Sequence, residues 1–274
     1  TAICAGVTPT GEHIFTRHLD RYEVFDLELE RVATREDVLA PADQSSMAFH
    51  PTRPEAALVL DTGDVAIVTV PGLETLRVLD LDLGETTGGS GQALQGTGDA
   101  ARSMVRSVAY SPDATLLAVA DADTVHVVDD AGEPVASLAA STHPSGRTYP
   151  FVSADSGVFG HLGGRSLIVA PLTAPGEVAE IELSSGSRPY RRAVAVEPGG
   201  RRAAVATADG IDVLDLADRV RLGEPLPVDA NLVDLFWSDQ GRLNGLGPNG
   251  VYQFDVDRSL LLGDLVADLP TGDG

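Results

Sequence analysis

The chain contains no lysine, so all 19 of its basic residues are arginines, and they stand against 41 aspartates and glutamates. The formal net charge at pH 7 is −22. Nucleic acids and anionic membrane surfaces are bound through positive charge that displaces counterions. The excess of carboxylates therefore argues against nucleic acid and against a membrane as partners.

Cysteine and long apolar runs are also scarce. The single cysteine, Cys4, permits neither an internal disulfide nor a cysteine-based metal site, and the six histidines do not cluster as ligands. No apolar run approaches the roughly 20 residues of a membrane-spanning helix. We therefore expect no catalytic metal and a cytoplasmic protein. The first residue is Thr1 and not Met, from which we expect a processed product or a segment of a longer chain.

An internal repeat organises what is present. Six segments share one plan, in which a short apolar strand ends in a polar turn and a second apolar strand follows. The anchor positions of these turns are Pro9, Pro51, Pro112, Ala154, Pro198 and Asp239. They are separated by 42, 61, 42, 44 and 41 residues. A period near 42 is typical of the four-stranded blades of β-propellers.

Further hairpin signals complete each unit. Polar turns rich in Asp, Asn and Gly precede a third strand, and a shorter fourth strand closes most units. The third strands end in an apolar residue followed by aspartate at Phe25–Asp26, Val128–Asp129, Leu214–Asp215 and Phe254–Asp255. With these pairs and this spacing, residues 1–269 resemble a degenerate WD-repeat (WD40 or YVTN-like) bacterial β-propeller. Phe, Val or Leu replaces the tryptophan of the Trp-Asp pair, and no Gly-His pair opens the repeats.

Together, the repeat and the resemblance predict an all-β fold. We expect a β-propeller of about six four-stranded antiparallel blades, or seven if missing or partner sequence completes it. Residues 1–274 are expected to form a single domain. The 61-residue step contains a stretch rich in Gly, Ser and Thr, which predicts a flexible insertion at about residues 83–100.

Two motifs of catalytic and cofactor sites bear on the function. No G-x-S-x-G pentapeptide occurs, which removes the usual signal of a nucleophilic hydrolase. A G-x-G-x-x-G pattern occurs at Gly245, Gly247 and Gly250, but a strand follows it where a dinucleotide site would have a helix. We interpret these glycines as a hairpin turn.

Candidate binding residues lie in the loops expected at one rim of the propeller. Turns between second and third strands supply Asp20, Asp61, Asp64, Asp121, Asp123, Asp209 and Asn249. The loops around the first strands add Arg106, Tyr110, Arg188, Tyr190 and Arg191. A ring of carboxylates could hold Ca²⁺ or receive a basic protein segment, whereas arginine and tyrosine often anchor protein interfaces. Good turn chemistry and ordinary charge pairing explain the same residues without a ligand.

Two functional classes remain open. The first is a non-catalytic binding or scaffold module for another protein or another domain of its own chain, as the resemblance implies for the sensor or interaction end of a larger bacterial multidomain protein. The second is a propeller enzyme, lactonase-like or another metal-assisted hydrolase, with its site at the mouth of the central channel. Fold does not decide between them. We favour the binding module because the inner strands offer few ligands or bases, and we expect no cofactor apart from Ca²⁺ at the aspartate rim.

The insertion at residues 83–100 gives a first testable prediction. Replacing it with a short linker should leave the melting temperature almost unchanged, because each doubling of loop length costs only about 0.6 kcal/mol. Thermal denaturation of the shortened and full-length proteins checks this. A large fall in melting temperature would show that the segment packs as part of the structure.

Overall fold

Six antiparallel β-sheets follow one another along the chain. The computed structural model describes residues 4–8, 11–18, 20–38, 46–79, 81, 107–121, 124–140, 148–153, 157–185, 194–228, 232, 234–238, 240–247 and 250–257. Within these ranges, five sheets have four strands and the sixth has three, and strands adjacent in sequence are adjacent in each sheet. The architecture is that of a six-bladed β-propeller, which confirms the fold predicted from the repeat.

The first three sheets are built from strands β1 to β12. Sheet 1 contains β1 (Cys4–Val7), β2 (Ile14–Arg17), β3 (Tyr22–Phe25) and β4 (Arg31–Arg35). Sheet 2 contains β5 (Met47–Phe49), β6 (Glu55–Val59), β7 (Val65–Thr69) and β8 (Thr75–Leu79). Sheet 3 contains β9 (Ser107–Tyr110), β10 (Leu116–Ala120), β11 (Thr124–Asp129) and β12 (Pro134–Ala139).

The remaining sheets are built from strands β13 to β23. Sheet 4 contains β13 (Tyr149–Val152), β14 (Val158–Leu162), β15 (Ser166–Pro171) and β16 (Ala179–Glu182). Sheet 5 contains β17 (Val194–Val196), β18 (Arg202–Ala206), β19 (Ile211–Asp215) and β20 (Val220–Leu226). Sheet 6 contains β21 (Asp234–Trp237), β22 (Leu243–Gly247) and β23 (Gly250–Phe254). The chain divides into two compact units, Thr1–Val152 and Ser153–Gly274.

In the first unit, sheet 2 is buried on both faces. Alternate residues of β6 and β7 enter two different apolar clusters, since neighbouring side chains in a strand point to opposite faces. The cluster with sheet 1 takes Ala56, Leu58, Ala66 and Val68. The cluster with sheet 3 takes Ala57, Val59, Val65 and Ile67. The continuous apolar runs of these strands therefore reflect packing on two sides.

In the second unit, sheets 5 and 6 share a corresponding apolar cluster. It includes Ala204, Val213 and Leu243, all of them buried. Two inner-strand alanines, Ala48 and Ala195, lie in these clusters, where a small side chain lets neighbouring sheets approach closely. The repeat's preference for alanine at these positions follows from that close approach.

The turn between the first and second strands is closed by the residue that precedes each anchor position. The N–H of Ser111 donates to the carbonyl oxygen of Leu116 at 2.9 Å, and the Ser111 Oγ accepts from the N–H of Leu116 at 3.0 Å. Ser153 makes the same pair of bonds with Val158. The residues at this position are Thr8, His50, Ser111, Ser153, Glu197 and Ser238. A hydroxyl suits the position because it satisfies a backbone N–H that the turn leaves unpaired.

The aspartates that end the third strands close the next turn. The Asp129 Oδ1 accepts from the N–H groups of Ala131 at 2.9 Å and Glu133 at 3.0 Å. The Asp215 Oδ1 accepts from the N–H groups of Ala217 and Asp218, each at 2.9 Å. Asp129 and Asp215, two of the four aspartates on which the resemblance rests, are therefore turn caps.

The outer strands of sheets 1 to 3 each carry a β-bulge. The register places two residues of the fourth strand opposite one of the third, which leaves one residue unpaired in each sheet. These residues are Val32, Leu76 and Val135, with 46%, 54% and 49% of their surface exposed. Bulges of this kind discourage pairing with the edge of another sheet.

Several expectations can be compared directly with these strands. The glycine pattern at residues 245–250 is a hairpin, in which Gly247 of β22 pairs with Gly250 of β23, as interpreted from the sequence. The insertion at residues 83–100 and the expected last strand of the sixth unit lie outside the described residues. The single domain over residues 1–274 stays a prediction. In the described part of the chain, no helix has both the length and the apolar character needed to cross a bilayer.

A glycine pair provides a second prediction, this time about the fold. A Cβ at Gly160 of β14 would lie 1.9 Å from the carbonyl oxygen of Ile168, whereas a Cβ at Gly176 would meet nothing within 4 Å. We expect Gly160→Ala to destabilise the protein by about 3 kcal/mol or more, because the adjacent backbone must shift. Gly176→Ala should be neutral or slightly stabilising. Thermal denaturation of both variants checks the contrast, and equal melting temperatures would contradict it.

Candidate functional site

The aspartates expected at the rim lie in turns between second and third strands. Asp20, Asp61 and Asp64 are exposed in turns of the first unit, and Asp209 is exposed in a turn of the second. The Asp64 Oδ2 accepts from the Thr62 hydroxyl at 2.8 Å, and the Asp20 Oδ1 lies 3.1 Å from the Arg21 guanidinium. The carboxylates of Asp20 and Asp64 thus take part in local contacts.

Asp121 differs from the other aspartates because only 2% of its surface is exposed. Its Oδ1 accepts from the N–H of Thr124 at 2.7 Å, and its Oδ2 lies 3.7 Å from the His126 Nε2. The carboxylate is therefore directed into its own turn. Burial and the turn contact occupy this carboxylate, and the role of Asp121 in a rim binding site stays a prediction.

Tyr110 also departs from its expected place. It is the last residue of β9 and pairs with Leu117, whereas Asp121 follows the other end of β10, where Ala120 pairs with Ser107. Tyr110 therefore lies at the opposite end of sheet 3 from Asp121. The expectation grouped Tyr110 with residues of the loops that precede the first strands. Tyr110 is instead the last residue of β9, and it therefore emerges at the other end of that strand.

Arg106, Asp123, Arg188, Tyr190, Arg191 and Asn249 lie outside the described residues. In the part of the chain that the structure describes, no three His, Cys, Asp or Glu side chains come together as a group that could hold a metal ion. Calcium at the aspartate rim stays a prediction.

A charged group in the described first unit joins sheets 2 and 3. Asp130 lies directly after β11. Its Oδ1 and Oδ2 accept hydrogen bonds from the two terminal nitrogens of Arg53, at 2.6 Å and 3.1 Å. Arg77 of β8 donates to the same Oδ1 at 2.9 Å and also to the Asp130 carbonyl oxygen. One carboxylate therefore bridges two guanidinium groups of the neighbouring sheet.

The charge state of Asp130 follows from these contacts. The hydrogen bond from Arg53 lowers the pKa of Asp130, partial burial raises it, and the hydrogen bond from Arg77 lowers it again, so that the pKa falls to about 2. The hydrogen bond to Asp130 raises the pKa of Arg53 in turn. Both groups are charged throughout the physiological range.

His50 holds Arg53 in position. It occupies the turn-closing position that is serine or threonine in four of the six units, and its Nδ1 accepts from the N–H groups of Thr52 at 3.2 Å and Arg53 at 3.0 Å. The Arg53 Nε lies 2.9 Å from the His50 Nε2 and 3.3 Å from the Glu55 Oε2. Burial and the positive charge of Arg53 lower the pKa of His50, so the ring is neutral.

Tyr110 packs against the other side of this group. Its ring meets the His50 ring edge-on, with centroids 5.0 Å apart. Burial raises the pKa of Tyr110 to about 12, so the hydroxyl keeps its proton. Asp130, Arg53, Arg77, His50 and Tyr110 are referred to below as the Asp130 cluster.

An open depression lies beside the Asp130 cluster. Its lining residues are His50, Thr52, Arg53, Asp113, Ala114, Thr115, Asp129, Asp130 and Ala131. The side chains of Asp130, Arg53 and Arg77 are 48%, 37% and 40% exposed, so the charged groups can be reached from solvent. With Asp130 ionised, Arg53 charged and His50 neutral, the surface offers fixed charges suited to binding a polar partner.

Sequence reasoning missed most of this cluster. It treated His50 as an isolated histidine and did not single out Arg53, Arg77 or Asp130. Two signals were available in the repeat. His50 stands where most units have a hydroxyl residue, and Asp130 doubles the capping aspartate of its turn.

Comparison with known proteins gives the fold but no family. No protein-family model matches the chain, and no curated protein matches its sequence. Solved structures do match. U3-55K has a TM-score of 0.63 and 15% identity, covering 95% of this chain and 79% of that one. Hsv2 from Kluyvelomyces marxianus has a TM-score of 0.54 and 13% identity, covering 93% of this chain and 77% of that one. At these identities the likeness establishes the β-propeller fold.

The pKa of Asp130 gives a third prediction. A folded-state pKa depressed from 3.8 to about 2 means that the ionised form stabilises the fold above pH 4 and that this contribution is lost as the pH falls towards 2. Because the side chain is half exposed, the contribution should be at most about 1 kcal/mol. Asp130→Asn should therefore lower the urea midpoint at pH 6, and the difference from wild type should shrink below pH 4.

Asp61→Asn, which removes an exposed turn carboxylate of the same unit, is the matched control. It should leave the urea midpoint close to that of wild type at each pH. A difference between Asp130→Asn and wild type that persists unchanged at pH 2 would contradict the assignment of the ion pair.

Proposed function

We propose that this chain is a non-catalytic binding module whose partner is another protein or another domain of a longer chain. The β-propeller fold is compatible with binding and with catalysis, so the argument rests on the surface. The observation that carries it is the Asp130 cluster beside an open depression. Its two arginines and carboxylate are held in fixed positions by contacts between sheets 2 and 3.

Preorganised charge of this kind favours specific association. Arg53 and Arg77 are already ordered by Asp130, so little side-chain freedom is lost when a partner covers them. Arginine and tyrosine are enriched among residues that dominate binding energy. The cluster therefore supports a protein interface more than a site for proton transfer.

The proposal extends to the family of this chain, its cellular compartment and a bound ion. We infer a degenerate WD-repeat propeller of bacterial origin, acting as a scaffold or as the interaction end of a larger cytoplasmic protein. The aspartate-capped third strands support the kinship. Calcium bound by aspartates in turns between second and third strands is included as a secondary proposal.

A substitution in the depression tests the function. Ala131 is exposed and lines the depression, and only its backbone N–H takes part in the turn. Ala131→Arg should therefore fill the depression without disturbing the fold, and we expect it to weaken binding of the partner purified from the source organism at least tenfold. Isothermal titration calorimetry measures the affinity, and thermal denaturation verifies the fold.

Ala217→Arg is a matched control, because Ala217 is also exposed and its N–H also donates to a capping aspartate, Asp215. This variant should bind the partner as wild type does. Equal affinities for wild type and Ala131→Arg would contradict the proposed surface. Hydrolysis of a lactone by the purified protein, abolished by a chelator, would favour the enzyme alternative instead.

A further inference from the structure

The third turn of sheet 1 uses the same hydrogen bonds as that of sheet 3. The N–H of Leu29 donates to the Asp26 carbonyl oxygen at 3.1 Å, and the N–H of Glu30 donates to the Asp26 Oδ1 at 2.8 Å. In sheet 3, Gly132 and Glu133 make the same two bonds to Asp129, each at 3.0 Å. Leu29 therefore occupies the place that Gly132 takes in sheet 3.

This place requires left-handed backbone geometry. The φ angles are 65° at Leu29 and 92° at Gly132, and glycine adopts such angles without the steric cost that a Cβ brings. Leu73 has a φ of 58° in the corresponding turn of sheet 2, but it is only 4% exposed and belongs to the apolar cluster there. Packing offsets the strain at Leu73.

No such compensation is visible at Leu29. Its surface is 68% exposed, so the side chain gains little from burial in this unit. A leucine at this position strains the folded backbone where glycine would not, which lowers the stability of the fold. It also exposes an apolar side chain to water. Its presence is better explained by a contact made outside the fold.

Two further apolar residues belong to the same hairpin. Leu27 is 62% exposed, and Val32, the bulge residue of β4, is 46% exposed. Isolated apolar residues are common on protein surfaces, but three within six consecutive positions form a candidate contact. Leu27, Leu29 and Val32 are referred to below as the hairpin patch.

Charge around the hairpin patch indicates what it binds. Glu28 and Glu30 are exposed between and beside the apolar residues, and the one cation among them, Arg31, is paired with Glu23 at 3.0 Å. A second copy of this chain would bring the same carboxylates and a net charge of −22, so self-association is opposed by repulsion. The complementary partner combines apolar side chains with positive charge.

We propose that the hairpin patch docks a protein segment in which apolar side chains are flanked by lysine or arginine. This inference rests on the proposed function, since it names the chemistry of a partner for a protein-binding module. It identifies a contact surface on sheet 1, separate in sequence from the Asp130 cluster of sheets 2 and 3.

A random 12-residue peptide library displayed on phage tests the inference. The library is selected on the wild-type protein alone, and synthetic copies of the enriched peptides are measured by fluorescence anisotropy on wild type and on Leu29→Gly. We expect enriched peptides to combine apolar residues with lysine or arginine and to bind Leu29→Gly at least tenfold more weakly than wild type. The melting temperature of Leu29→Gly should equal or exceed that of wild type, because glycine relieves the left-handed strain.

Two further variants separate loss of the patch from a change in the backbone. Arg219→Gly makes the same replacement at another left-handed position, where φ is 57°, and leaves the hairpin patch intact. It should bind the peptides as wild type does. Leu27→Ser changes the patch at an ordinary backbone position and should weaken binding in the same direction as Leu29→Gly.

The contrary outcomes are distinguishable. Peptides that bind wild type and Leu29→Gly equally but fail to bind Ala131→Arg would overturn the hairpin patch and leave the proposed function standing. Failure to select any peptide that binds the wild type would count against both. Enriched acidic peptides would overturn the proposed chemistry. Loss of sedimentation with 3:1 phosphatidylcholine and phosphatidylserine vesicles in Leu29→Gly alone would identify a membrane contact and also overturn it.

Discussion

Neither face of strands β6 and β7 meets water. Ala57 and Leu58 are adjacent in β6 and completely buried, yet they point into different apolar clusters. A single sheet cannot cover both of its faces, so sheet 2 is stable only when sheets 1 and 3 flank it. This requirement explains why the sequence repeats, since each sheet serves both as a blade and as the cover of its neighbour.

The same requirement limits where functional chemistry can lie. Inner strands are committed to close packing and are rich in alanine and valine, whereas turns and outer strands are free to vary. Within one turn framework, Asp129 caps its own backbone while the adjacent Asp130 reaches Arg53 and Arg77 of the next sheet. Structural and interaction roles are thus divided between consecutive residues.

Equivalent turns keep the same backbone hydrogen bonds although their exposed side chains differ. In the turns of sheets 1 and 3, the hydrogen bonds of Asp26 and Asp129 correspond. The residues between those bonds differ in character: Leu27 and Leu29 in sheet 1 stand where sheet 3 has Asp130 and Gly132. One turn therefore exposes apolar side chains and the other anchors a charged cluster, although their backbone bonding is alike. Variation of this kind gives a repetitive fold distinct surfaces on different blades.

Local sequence patterns were sufficient to predict the all-β class, the blade repeat and the hairpins. These features are local: the alternation of apolar residues sets the strands, and Asp, Asn and Gly set the turns within a few positions. The aspartates that end the third strands were likewise visible, because they cap turns only a few residues away.

The contacts between distant turns depend on how the sheets pack, and local sequence patterns did not predict them. Arg53 and Asp130 are 77 residues apart and pair because sheets 2 and 3 pack face to face. Tyr110 was identified as a candidate, but its neighbours were not, since its position at the end of β9 directs it towards His50 and away from Asp121. Burial of Asp121 could not be read from its turn sequence either. Pairing between sheets depends on register and packing, which a local pattern does not encode.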